Sequence, residues 1–421
     1  MATWSGLQEA WIILGDSWET IDATPSFNTV VEIETVEGFI LDDPIAGVLD
    51  NPVYTLGGSV FTDITDQMID LSIARGKSRD LDRFSSGSLN VVLNNETRLF
   101  DPLYTAGSLY GNIIPRRAVR ITTGGQRQFT GVIDDWNFAY DPGGQSKAEI
   151  IATDDFTLLA RQTYAGTSVP QASGARVSAV LDSSGVAWPS DRRDISQGVS
   201  ELEAETFSGN ALEYLQKVET SEQGALFIGK DGDLTFLDRS AATPTSDSLV
   251  TFADDGTGID YTRVNVNYGI ELLINNVTVS SGVGVGTANN ERSEKVYGIS
   301  SENLDTFLDS QAQLDNMANF IVSKYADPEY RFDSVSMNLD TMSAPDKATV
   351  LGLELGDVIV IKFTPNGIGN QILQYGEIIK LDHEIEQIRH DVTIGVSALD
   401  WTFLVLDDNV FGTIDVNHLG F

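Results

Sequence analysis

One β-rich succession occurs twice in this chain, and the doubling restricts the fold more than any other feature of the sequence. A Pro-broken entry, Ile113-Ile114-Pro115, leads to a strand through Val119-Arg120-Ile121; a second strand starts at Phe129-Thr130-Gly131-Val132-Ile133, and a third spans 147–153. Apolar and polar residues alternate along them, and Asp141-Pro142-Gly143-Gly144 supplies the turn before the third. Residues 356–361, 375–379 and 391–398 repeat that order. Gly131 precedes Asp154 by 23 residues, and Gly376 precedes Asp400 by 24. The same order at nearly the same spacing predicts two related β-domains.

Between the copies the period changes. Residues 175–184 carry Val177, Val180 and Leu181 on one helical face, with Gly185 as the stop. A second helix is predicted over 210–221, with Asn210 as its N-cap and Leu212, Leu215 and Val218 inward. Residues 225–236 then form two short strands around Asp231-Gly232, a strong hairpin signal. From 249 to 300 the chain is strand-like again. A longer helix is expected over about 303–325, with Pro328 ending it.

With 421 residues, two to four domains with substantial cores are affordable. There is no cysteine, so disulfides and thiolate sites are excluded. No apolar run approaches the ~18 residues that span a bilayer, so no membrane insertion by this chain is expected. The first residues lack the basic region of a secretory signal and are taken as mature protein. Net charge is −36, and it is unevenly placed: residues 1–74 hold 13 acidic residues and no Lys, Arg or His, and 391–421 hold 5 and no Lys or Arg. Such a chain repels phosphate backbones, which argues against specific nucleic-acid recognition. A wall that DNA slides past without sticking needs this sign of charge.

The two ends share a motif. Leu41, Asp42, Asp43, Gly47 and Asp50 match Leu406, Asp407, Asp408, Gly412 and Asp415 in L-D-D-x-[I/V]-x-G-x-[L/I]-D, and Gly15-Asp16 begins a looser copy. Each suits a short strand, a tight turn and another short strand. The carboxylates invite a calcium reading, but the spacing is not that of an EF-hand, and solvated turn aspartates are the simpler reading. These segments are expected to be arms that pack on each other, on a neighbouring subunit or on the next protein along.

Catalytic chemistry is not evident. His383 and His390 lie seven apart in a strand-like region, which would put them on opposite faces and makes a shared metal unexpected. Among 62 acidic residues, carboxylate pairs carry little information. Gly282, Gly284 and Gly286 lack the residues of a phosphate loop and read as a mobile turn. Trp4, Trp11, Trp18, Trp136, Trp188 and Trp401 suit β-core packing or anchoring, with sugar stacking as the other role. No enzyme activity, cofactor or metal is expected.

Residues 66–102 are more specific. They read as strands over 68–74 and 88–93 around a connection in which Arg75, Lys77, Arg79 and Arg83 face Asp80 and Asp82. A hairpin with a charged loop is one account. The combination Arg75-Gly76-Lys77, Asp80-Leu81-Asp82-Arg83-Phe84-Ser85-Ser86-Gly87 and Arg98-Leu99-Phe100-Asp101-Pro102 also resembles the opening of minor tail, or tail hub (baseplate hub), proteins of long-tailed bacteriophages (siphophages). The resemblance covers about residues 60–400.

It implies a mainly β protein with two tube-like β-barrel domains, an inserted small α/β hub domain and β-rich terminal arms. The divisions expected are an acidic arm over 1–65, a first barrel over 66–160, the α/β insertion over 161–248, a second barrel with one long helix over 249–400, and a C-terminal arm over 401–421. It further implies a structural virion protein at the distal end of the tail. As a homotrimer it would present six barrel units, adapting a sixfold tail tube to a threefold tip around an acidic channel for DNA ejection. Its partners would be the distal tail or tube protein, the tape-measure protein and tip or fibre proteins, with DNA passing through unbound. The basic loop would pair with acidic surfaces of a neighbour. A receptor- or carbohydrate-binding tip protein is the other reading.

Overall fold

A computed structural model describes residues 29–38, 54–55, 59–141, 143–241 and 249–399. The protein is mainly β, and most of its strands belong to one 14-stranded sheet. Two five-strand units form the body of that sheet. The first consists of β1 (Met68–Gly76), β2 (Ser85–Asn94), β3 (Ala118–Thr123), β4 (Gln126–Ala139) and β5 (Lys147–Thr153). The second consists of β6 (Arg263–Tyr268), β7 (Tyr330–Asn338), β8 (Val358–Phe363), β9 (Ile372–Glu386) and β10 (Arg389–Leu399). Both are antiparallel, in the orders β1-β2-β5-β4-β3 and β6-β7-β10-β9-β8.

The correspondence extends to single residues. Val119 lies opposite Gly131, and Ile359 opposite Gly376. Two residues beyond each glycine the pairing with the next strand shifts, between Ile133 and Asp135 in β4 and between Ile378 and Lys380 in β9. Asp134 and Ile379 are therefore equivalent bulge residues, each adding local twist at the same place in its unit. The N–H of Arg116 donates to the Ile133 carbonyl at 2.7 Å, as that of Gly356 does to Ile378 at 2.8 Å. Arg116 and Gly356 both take positive φ, 72° and 87°. Asn94 and Asn338 end β2 and β7 alike, each side-chain oxygen accepting from the N–H two residues on.

The units join through β9. Its first half pairs with β8; beyond the bulge, Lys380–Glu386 pairs with β1, in a register that sets Leu381 against Arg75 and Ile385 against Leu71. Alternation buries one face of each strand. Val31, Leu71, Leu89, Ile121, Phe129 and Ile150 lie in the first unit's core, and Phe252, Phe332, Ile359, Leu381 and Ile394 in the second's.

Two further cores flank the sheet. Helices α1 (Ser173–Leu181) and α2 (Ala211–Glu222) pack on the hairpin Ala225–Ile228/Leu234–Leu237 around Val177, Tyr214, Leu215 and Phe236. Asn210 caps α2 as its sequence predicts, its side chain accepting from Glu213 N–H at 3.1 Å. The other core lies between β6 and β7, where three short strands pack against α4 (Gln311–Tyr325) through Val277, Val279, Leu314 and Ile321.

Here the structure departs from expectation. Residues 301–305 form a strand parallel to Asn276–Ser281, so the helix expected from 303 begins only at Gln311. Extended backbone wins because Thr306 N–H reaches the Ser280 carbonyl at 2.8 Å and Phe307 N–H the Ser221 hydroxyl at 2.8 Å. Within the stretch expected as strand, Glu291–Tyr297 is a helix, α3, capped by Asn290. Ser343 caps α5 (Ala344–Gly352) in the same way.

Candidate assembly interface

The charged connection between β1 and β2 is fastened into the chain. Arg75 has a side chain only 4% exposed; its guanidinium donates to the Ile228 carbonyl at 2.9 Å and lies 2.8 Å from Glu354. One residue thus ties the first unit to the α/β insertion and to the second unit. Lys77 donates to the Asp80 carbonyl at 2.7 Å and stands over the Phe84 ring. Arg79 reaches Asp82 at 3.3 Å and Glu271 at 3.5 Å, and Arg83 reaches Gln216 and Thr220 on α2.

Asp80 accepts from the Tyr325 hydroxyl at 2.6 Å and lies 3.4 Å from the Lys324 ammonium. Burial opposes its charge, yet Lys324 and Lys77 outweigh that and hold the carboxyl below its ordinary range. Beside them burial pushes Glu377 up. The partners Glu271, Lys324, Tyr325 and Glu354 were not foreseen, because they lie 192 to 279 residues away in sequence and no local pattern marks them. Arg79, with a side chain 56% exposed, and Arg83 remain partly open to solvent.

Arg75-Gly76-Lys77 has a backbone reason. Gly76 sits at φ +109°, and a Cβ there would come within 2.1 Å of the carbonyl oxygen of Ile379, the bulge residue of β9. Lys77 N–H donates to the same oxygen at 2.9 Å. Only glycine permits the close approach that docks β1 on β9.

The histidines correct the sequence reading. β9 and β10 form a hairpin turning at residues 387–388, so His383 and His390 meet on one face, Nδ1 to Nε2 at 3.0 Å. Both are buried, and burial first, then the neighbouring imidazole, pushes His383 well down; burial brings His390 down to about 4. Among the described residues no group of three or more His, Asp or Glu could hold a metal ion. Gly284 and Gly286 also differ from expectation, lying in the strand Gly284–Asn289. Helix α4 crosses so closely that a Cβ on Gly286 would meet Leu314 backbone at 2.5 Å.

A groove of about 210 Å³ between the charged connection and β6, β7 and β10 is lined by Arg79, Glu271, Arg331, Lys380 and Asp382. It is smaller than the ~300 Å³ usual for a ligand pocket and mixed in charge. Trp136 and Phe138 pack on the first core rather than in a groove, with Tyr140 stacked beyond them and 54% exposed. The terminal motif residues Leu41, Asp42, Asp43, Gly47, Asp50, Leu406, Asp407, Asp408, Gly412 and Asp415 lie outside the described residues, as do Trp4, Trp11, Trp18 and Trp401.

What the geometry leaves open is sheet edge. Beyond Ile133, β4 pairs with β5 on one side and, among the described residues, with nothing on the other. Among the described residues β6 likewise pairs only with β7. Unpaired edges of this length are assembly surfaces or aggregation hazards.

No protein-family model matches the sequence, and no curated protein does. Solved structures do. A 43 kDa tail protein of prophage MuSo2 from Shewanella oneidensis matches with a TM-score of 0.55 at 12% identity, over 88% of this chain and 96% of that one. A tail protein from Neisseria meningitidis MC58 matches with a TM-score of 0.58 at 10% identity, over 89% and 96%. Over nearly its whole length, then, this chain has the fold of those two tail proteins.

Proposed function

We propose that the chain is a structural subunit of a phage tail, a hub protein whose copies form a ring at the distal end. The observation carrying this reading is the duplication: two units with the same strand order, the same bulge and the same glycine, joined edge to edge through β9 and β1. A ring of three such chains contains six like units and so can meet a sixfold tube on one side and a threefold tip on the other. Residues 66–160 and 249–400 are taken as its two ring-forming parts, with 161–248 inserted between them. The acidic terminal segments are taken as arms toward neighbouring subunits, and Arg79 and Arg83 as cations available to a neighbour's carboxylates. A chain at −36 suits the wall of a channel through which DNA leaves without binding. The fold shared with two tail proteins supports the tail role.

The test is the mass of the purified chain by light scattering, followed by imaging of particles labelled on it. The expected result is a three-chain species and label at the tip of the tail. A monomer in every buffer, or label on the capsid, overturns the reading.

A further inference from the structure

We infer that the free edge of β4 pairs with the free edge of β6 in a second copy of this chain, in the register that β9 and β1 already use within one chain. This rests on the ring reading above and names the strands that make it. Asp134 and Ile379 are equivalent, so Ala139, the last residue of β4, corresponds to Glu384, and continuing the count past the strand end places Tyr140 and Asp141 at the positions of Ile385 and Glu386. Through their partners in β2 and β7, residues Arg263, Val264 and Asn265 correspond to Asp70, Leu71 and Ser72. Within the chain, Glu384 faces Ser72, Ile385 faces Leu71 and Glu386 faces Asp70.

Transferred to two copies, Ala139 faces Asn265, Tyr140 faces Val264 and Asp141 faces Arg263. The transfer stops at Asn265, because the pairing of β6 with β7 shifts just after it.

The chemistry at the transferred positions fits. Tyr140 is a 54% exposed ring ending the stack of Trp136 and Phe138, and Val264 is a half-buried apolar residue packed on the second core. Their contact would continue the buried face that Ile385 and Leu71 form inside the chain. Where the internal joint sets Glu386 opposite Asp70, the joint between copies sets a carboxylate opposite a guanidinium. Arg263 makes no ion pair among the described residues. The contact is head to tail, so it propagates until the rotation closes. It also covers the sheet edges left open in one chain.

The absence of cysteine makes the register directly measurable. A chain carrying Ala139→Cys and Asn265→Cys should, under mild oxidation, give disulfide-linked dimers and trimers that reductant reverses. A chain carrying Asn137→Cys and Asn265→Cys, two residues out of register, should give at least tenfold less. Separately, Asp141→Arg should weaken association at least tenfold by sedimentation, and adding Arg263→Asp should restore it. If the chain associates but neither cysteine pair links, or the offset pair links better, the strand pairing is wrong and the ring reading stands. If the unaltered chain never associates, both fall.

Discussion

Glu219 on α2 shows how strongly this interior acts on a single carboxyl. It is buried, accepts from Leu226 N–H at 3.1 Å through Oε1, and leaves Oε2 without a hydrogen-bond partner among the described residues. Burial pushes its pKa up to about 7 from an ordinary 4.5, outweighing the opposing Leu226 hydrogen bond and the charges of Lys77 and Arg83. The folded state therefore holds this proton more tightly than the unfolded chain does. The stability it contributes is complete below about pH 4.5 and is lost as pH rises through about 7. Glu219→Gln keeps the accepting oxygen and removes the ionisation. Urea unfolding should show the variant more stable than the parent at pH 8, on the order of 2–3 kcal/mol, with the difference fading by pH 4. An unchanged difference across that range would show that the carboxyl does not titrate there. Asp154, pushed up to about 6 by burial, acts in the same direction, and His390 in the opposite one.

At the scale of the element, equivalent positions in the two units need not be equally constrained. Gly131 and Gly376 occupy the same place, yet a Cβ on Gly131 would lie 2.4 Å from the Thr153 carbonyl oxygen and 2.7 Å from the Phe129 ring. A Cβ on Gly376 would meet Val396 Cβ at 3.1 Å and nothing nearer. Gly131→Ala should cost about 2 kcal/mol or more and Gly376→Ala about 1 or less, read as the shift in denaturation midpoint. Equal losses would mean that the first unit's backbone yields freely. The same positions show what was legible in sequence. The recurring glycine and its distance to the following Asp reveal two meanders, because alternation and turn chemistry are local. The edge-strand exchange at β9 was not legible, because the strand read over 375–379 stops at the bulge, and nothing local marks that the chain continues extended and changes partner from β8 to β1. Nor was the start of α4: helical periodicity continues through 303–310, but hydrogen bonds to Ser280 and Ser221 hold that stretch extended.

For the whole molecule, charge and edges oppose each other. Each copy brings a formal −36 to any assembly, while strand pairing and apolar contact draw copies together. Raising ionic strength from about 0.01 to 0.15 M shortens the screening length from roughly 30 to 8 Å. Association measured by sedimentation should therefore strengthen across that range, and weakening would mean that ion pairs rather than edges hold the copies.

By itself the sequence determined a mainly β chain built on a doubled meander, a helix, helix and hairpin insertion, and a strongly acidic total charge, because hydrophobic period, turn residues and net charge depend only on near neighbours or on totals. Tertiary structure alone decided that Arg75 joins three parts of the chain, that Asp80 finds Lys324 and Tyr325, that two histidines touch, and that one strand is shared between the units. Those contacts join residues far apart in the chain, and their partners are chosen by which buried groups must be paired once the sheet has formed.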